Sequence, residues 1–156
     1  MNNPLIISLN THGVFIFILF IFMYEYFVVR EKEVATHALF SVATTLVVTI
    51  ILKELFLVPR PYMQMGIEPE AGLAIFSSFP SAHAALAFAL ATSVGLHQKR
   101  IGIFCLVIAS LVAIGRVAAF VHYPIDIAFG VLVGVLVAVF FDTIHFSKVR
   151  NNKKKH

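Results

Sequence analysis

The sequence predicts an all-α fold, a polytopic transmembrane helix bundle of about five spans forming one domain over residues 1–156. Three observations carry this. Apolar residues make up 60% of the chain, only 13% are charged, and the mean hydropathy is +0.92. The apolar residues fall in runs near the ~20 residues a helix needs to cross the hydrocarbon core of a bilayer. The charges sit in short clusters between those runs. A soluble domain, a disordered chain, collagen, a disulfide scaffold and a nucleic-acid-binding domain are all excluded by such a composition, so no nucleic-acid partner is expected.

Taken in order, the first span covers residues 5–29, holds the run from Val14 to Met23, and stops at Arg30, Glu31, Lys32 and Glu33. No basic residue precedes it and no small-residue cleavage site follows, so it reads as a span and not as a signal peptide. The second, 34–57, carries the small and β-branched stretch Ser41 to Ile51 and ends before Pro59, Arg60 and Pro61. The third, 81–96, is rich in Ala and is closed by His97, Gln98, Lys99 and Arg100. The fourth takes 101–120, and the fifth starts at Pro124, runs over 124–146, and leads into a basic tail, 147–156, suited to anionic lipid headgroups. Cys105, the single cysteine, allows no intrachain disulfide and reads as a small core residue. The connection from Arg60 to Phe79 is long for a compact protein, which marks it as functional. Its apolar residues, among them Met63, Met65, Ile67, Leu73, Ile75 and Phe76, suit it to the outer interface beside a lipid entrance.

Loops that stay in the cytoplasm carry the excess of Lys and Arg. With five alternating spans, Arg30, Lys32, Lys99, Arg100, Lys148, Arg150, Lys153, Lys154 and Lys155 share one side. The C-terminus is therefore expected in the cytoplasm and the N-terminus outside. Lys53, Arg60 and Arg116 fall on the opposite, outer side, at or beyond the ends of the second and fourth spans.

Charged groups in membrane spans are costly and mark functional sites by default. Near the outer face stand Lys53, Glu54, Arg60, Ser81, His83, Arg116, His122 and Asp126. Three strong cations gathered at one place need an anion, and tetrahedral phosphate fits them better than a carboxylate. Pro80 and Ser81 open the Ala-rich third helix, Ser81 as N-cap, so its unpaired N–H groups face the same anion. His83, in the first turn, can give a proton to a leaving oxygen. Asp126 follows His122 by one helical turn, close enough to fix the imidazole tautomer and leave the other nitrogen as a nucleophile.

The strings Lys53-x6-Arg60-Pro61, Pro80-Ser81-Ala82-His83 and Arg116-x5-His122-x3-Asp126 resemble the three ordered signature motifs of the type 2 phosphatidic-acid phosphatase superfamily. That superfamily includes lipid phosphate phosphatases, bacterial undecaprenyl-pyrophosphate phosphatases and vanadium-dependent haloperoxidases. The resemblance implies that Lys53, Arg60 and Arg116 bind phosphate, with Ser81 and nearby amides holding phosphoryl oxygens. It implies that His122 attacks phosphorus, that Asp126 orients His122, and that His83 protonates the leaving group. No metal and no cofactor are implied; fixed cations supply the charge stabilisation. The substrate implied is a lipid phosphate or pyrophosphate, undecaprenyl pyrophosphate first, taken at the outer face of the cell membrane. Two positions depart from the family: Ala82 stands where Gly is usual, and Gly115 where Ser is usual. Membrane members often have six spans, against about five here.

His12, His37, His97, His145 and His156 are expected to be structural or solvated, and a zinc site built from His83, His122 and Asp126 is disfavoured by the three cations beside it. Tyr24, Tyr26, Tyr62 and Tyr123 are expected as interface anchors. Glu25 and Asp142 are expected to be snorkelling or structurally paired, and Glu54 either balances the cations or faces the loop. A phosphotransferase shares every motif. A small proton or anion transporter is the reading from another class, and it requires polar residues continuing toward the inner face. The third and fourth spans offer few, namely Thr92, Ser93 and Ser110.

Overall fold

The computed structural model describes residues 4–30, 32–66 and 77–153, with side chains from His12 to Ile144 apart from those gaps. The expectation about the 67–76 part of the long loop therefore lies outside the described residues, as do the side chains of His145 and His156. Helix α1 spans Pro4–Met23 and continues as a π-helical segment, Tyr24–Val29; α2 spans Lys32–Phe56; α3 is a single turn, Pro61–Gln64; α4 spans Ala82–His97, α5 Lys99–Ala118 and α6 Pro124–Lys153. No strand occurs among the described residues.

Four helices are long and apolar enough to cross a membrane: those around His12–Val29, Lys32–Gln64, Lys99–Ala118 and Pro124–Ile144. Their large side chains point outward, Phe20, Leu55, Ile114 and Phe140 being more than half exposed. In water such a surface would be untenable, and in lipid it is the ordinary one. Helix α4, of 16 residues, is about 24 Å long, short of the ~30 Å hydrocarbon core. It survives because it meets little lipid. It packs against α6, α5 and α2 together, with α1 touching it as well.

Small residues make that central position workable. Ala84, Ala85, Ala87, Ala89 and Ala91 are all buried. A side chain at Gly130 would come within 2.6 Å of the Ser81 carbonyl oxygen, and one at Gly134 would strike the Ala85 carbonyl and stand 2.9 Å from the Ala89 nitrogen. The Gly130-x3-Gly134 pair thus lets α6 lie backbone to backbone on α4. On the other flank Gly102 of α5 would strike Gly95 of α4 if it carried a Cβ. Val14, Ile21, Val34, Ala38, Leu90 and Val94 fill the core between α1, α2 and α4, with Cys105 buried among them.

Helix α6 runs past the expected end at residue 146 because nothing there breaks it. Its last turns hold Lys, Arg and Asn, and neither Pro nor Gly intervenes. Tyr62, expected at the interface, is instead buried, its backbone N–H donating to the Phe120 carbonyl at 3.1 Å. Glu25 is fully buried and accepts a 2.7 Å hydrogen bond from Gln98 Nε2.

Candidate active site

One end of the bundle is closed by three short segments, residues 57–62, 77–81 and 119–123, that are hydrogen-bonded to one another. The Ser78 N–H donates to the Val58 carbonyl at 2.8 Å, and Ser77 Oγ accepts from the Val58 N–H at 2.8 Å. Arg60 Nη1 donates to the Val121 carbonyl at 3.4 Å. These ties bring the ends of α2, α4, α5 and α6 to one place.

Each site residue is set by the local structure that ends or begins a helix. Helix α5 closes in a Schellman arrangement, Val121 N–H to Arg116 carbonyl at 3.3 Å and Phe120 N–H to Val117 carbonyl at 2.9 Å. Phe120 occupies the left-handed position, φ 55°, where glycine is usual, so about 1 kcal/mol of strain is held between Arg116 and His122. At the start of α6, Asp126 Oδ2 accepts from the Tyr123 N–H at 2.8 Å, the carboxylate half of a capping box. At the start of α4, Ser81 is the N-cap as expected, its side chain accepting from the Ala84 N–H at 3.5 Å. The Ser81 N–H donates to the Asp126 carbonyl at 3.0 Å, which locks the first turns of α4 and α6 together.

Within this frame Lys53, Arg60, Arg116, His122, Asp126 and Ser81 are all buried. Lys53 Nζ donates to the Ser77 carbonyl at 2.6 Å. His122 Nδ1 faces Asp126 Oδ2 at 3.5 Å, with both side chains about 2% exposed or less. Burial pushes the His122 imidazole down to about 4; Asp126 opposes that, and Arg60, Arg116 and Lys53 add to it. The ring is thus held neutral with Nδ1 toward the carboxylate, which leaves Nε2 as the nitrogen with a free lone pair.

His83, in the first turn of α4, lines a cavity of about 80 Å³ with Arg116, Gly115 and Val14 and stands edge-on to Phe15. Gly115 puts no side chain into the cavity that Arg116 and His83 share. Glu54 is exposed and does not balance the cations; the carboxylate buried among them is Asp126.

Two serines were not singled out from the sequence. Ser77 anchors Lys53 through its carbonyl, and the Ser78 side chain hydrogen-bonds Asp126. Their only sequence signal is the run Ser77, Ser78, Phe79, Pro80, Ser81, polar residues crowded ahead of a helix start. The structure also shows a buried polar file along α2: His37, Ser41, Thr45, Thr49 and Lys53, spaced four apart. The third and fourth spans are as poor in polar residues as expected, but the second is not.

A model of the PAP2 superfamily matches residues 34–150. The chain is 46% identical over 66 residues to the bacitracin transport permease protein BcrC of Bacillus licheniformis, a stretch covering 42% of this chain and 32% of that protein. The match thus spans about a third of that relative's length. Among solved structures, the crystal structure of Aquifex aeolicus LpxE superposes with a TM-score of 0.69 and 27% identity, covering 90% of this chain and 87% of that one.

Proposed function

The chain belongs to the PAP2 superfamily, and from that premise we propose that it is an integral-membrane lipid phosphatase. It removes the terminal phosphate of a lipid phosphate or pyrophosphate, undecaprenyl pyrophosphate first, at the outer face of the membrane. The observation that carries the reading is the burial of a neutral His122 between Asp126 and three cations at the N-terminus of α4.

Lys53, Arg60 and Arg116 hold the phosphoryl oxygens, and the first N–H groups of α4 add positive potential from the helix end. His122 Nε2 attacks phosphorus. As the N–P bond forms, the bond to the leaving oxygen breaks and that oxygen takes a proton from His83. Asp126 stabilises the positive charge that appears on the His122 ring. Water then attacks the phosphohistidine, giving its proton to His83, and the P–N bond breaks to release phosphate and regenerate His122. The fixed cations stabilise the charge on the transferring group throughout.

Undecaprenyl pyrophosphate is placed first because recycling that carrier requires dephosphorylation on the outer face, where the charge rule puts this site. Phosphatidic acid offers the same phosphate at the same depth. The test is phosphate release in detergent with EDTA, with both lipids in parallel and His122→Gln beside the wild type. Release that persists in EDTA and falls at least ~10³-fold in the variant is expected. An equally active variant overturns the nucleophile assignment. Single cysteines placed at Glu70 and Gln98 in a Cys105→Ser background test the sidedness, residue 70 labelling from outside and residue 98 from inside.

A second reading is favoured by the polar file on α2, and by a relative described as a transport permease. In it, the same cluster is the outer mouth of a proton or anion path. Ion flux that survives His122→Gln while phosphate release is absent from the wild type would select it.

A further inference from the structure

At the far end of the bundle from His122 a second group of side chains converges. His37 of α2, His97 at the end of α4 and Asp142 of α6 place one ligand atom each within 4.8 Å of one another. His97 Nε2 stands 3.2 Å from His37 Nδ1 and 3.6 Å from Asp142 Oδ1. Each lies 16 residues along its helix from Lys53, Ser81 and Asp126, a rise of about 24 Å. The group is thus separate from the phosphate site.

We infer that His37, His97 and Asp142 form a binding site for a divalent transition-metal ion, zinc being the best match. The spacing is the first reason. Two nitrogens each about 2.0–2.1 Å from a tetrahedral zinc ion lie about 3.3 Å apart, close to the separation found. The second is the tautomer. His37 Nε2 lies 3.1 Å from the Ala138 carbonyl, a contact that only an N–H can make, so in the neutral ring Nδ1 carries the lone pair, with the Ser93 carbonyl also in reach of the ring. A metal-bound histidine is ordinarily oriented by such a bond from its other nitrogen to a backbone carbonyl. Ala138 also lies one turn before Asp142, so α6 supplies both a ligand and the group that aims a ligand.

Charge and access agree. Glu33 is close enough to act on His97, so two carboxylates bear on a site with no cation among its ligands. His37 is buried, whereas the side chains of His97 and Asp142 are 15% and 32% exposed, which leaves an entry path from solvent. The His97 Nε2 contacts to His37 Nδ1 and Asp142 Oδ1, at 3.2 and 3.6 Å, lie at or beyond the long end of ordinary N–H hydrogen bonds. A dication can take a lone pair from each of the three. It would tie together α2, α4 and α6, the helices that carry Lys53, His83 and Asp126 at their other ends.

The test uses the full chain with a histidine-free affinity tag, solubilised in detergent, stripped with EDTA and dialysed. Zinc content after equilibrium dialysis at micromolar free zinc is compared among wild type, His97→Gln, Asp142→Asn, the double variant His37→Gln/His97→Gln, and His12→Gln as an exposed control. We expect one zinc per wild-type chain above the double variant, affinity lowered at least ~100-fold in His97→Gln, and no change in His12→Gln. Cobalt substitution of the wild type should give the intense visible bands of a four-coordinate ion. Saturating zinc should raise its Tm on the order of 5 °C. These two wild-type readouts stand even if a variant fails to fold. Zinc content no higher than in the double variant, or a pale six-coordinate cobalt spectrum, overturns the site and leaves a shared proton as the link.

Discussion

If His122 is the nucleophile, the acid limb of activity reports the environment that buries it. An imidazole in water titrates near 6.5, whereas in this site burial and three cations bring it to about 4. Only the neutral ring can attack. Between about pH 7 and about pH 5 the neutral fraction of an ordinary imidazole falls about 25-fold, whereas one titrating near 4 loses only about a tenth. The kcat/KM of the free enzyme, corrected for the substrate's own ionisation, should therefore stay nearly level over that interval. Bound phosphate sets negative charge against Lys53, Arg60 and Arg116, so the acid limb of kcat should lie at higher pH than that of kcat/KM. The same shift is a stability statement. The folded state disfavours the protonated ring, so this contribution is full above pH 6.5 and is lost as the pH falls toward 4. It amounts to about 3 kcal/mol for a ring that is almost wholly buried. On acidification Tm should fall further for wild type than for His122→Gln. The direct assay is NMR of ring-labelled histidine, with His122 identified by its absence from the variant. A His122 ring that titrates near 6.5, together with a ~25-fold fall in kcat/KM by about pH 5, would refute the account of the site.

The other predictions follow from individual contacts. Asp126→Asn keeps an oxygen for the Tyr123 N–H, so α6 should still start correctly, but it takes the charge from His122; activity should fall by about 10⁴ with little loss of Tm. Arg116→Lys replaces a planar fork by a point charge and should cost about 10- to 100-fold in kcat/KM while the protein remains folded by circular dichroism. Gly134→Ala sets a methyl against the Ala85 carbonyl, and because backbone cannot yield, α4 and α6 must part; a loss of about 1–3 kcal/mol is expected in detergent unfolding. Gly13→Ala, with nothing within 4 Å of the added carbon, should leave Tm unchanged or raise it.

Local sequence was enough to place the helices in order and to mark the buried polar residues proposed to react. Apolar runs near bilayer length set α1, α2, α5 and α6, and Pro80 and Ser81 marked the start of α4 through capping chemistry that acts within a few residues. The three motifs were legible because their intra-motif spacing is short and their residue types are costly in a membrane. Packing sets the pairings between residues far apart in the chain, which no local pattern encodes. Ser77 meets Lys53 because residues 77 and 78 lie against the end of α2 and the Val58 backbone, 19 or more positions away in the chain. His37 and His97, set aside as structural or solvated, share a cluster with Asp142 because α2, α4 and α6 pack against one another there. Gly130 and Gly134 carry no local signal of their role, which comes from the backbone of α4 lying against them. Helix formation depends on the residues within a turn or two. The meeting of helices depends on which faces interlock, and that is a property of the whole packed bundle.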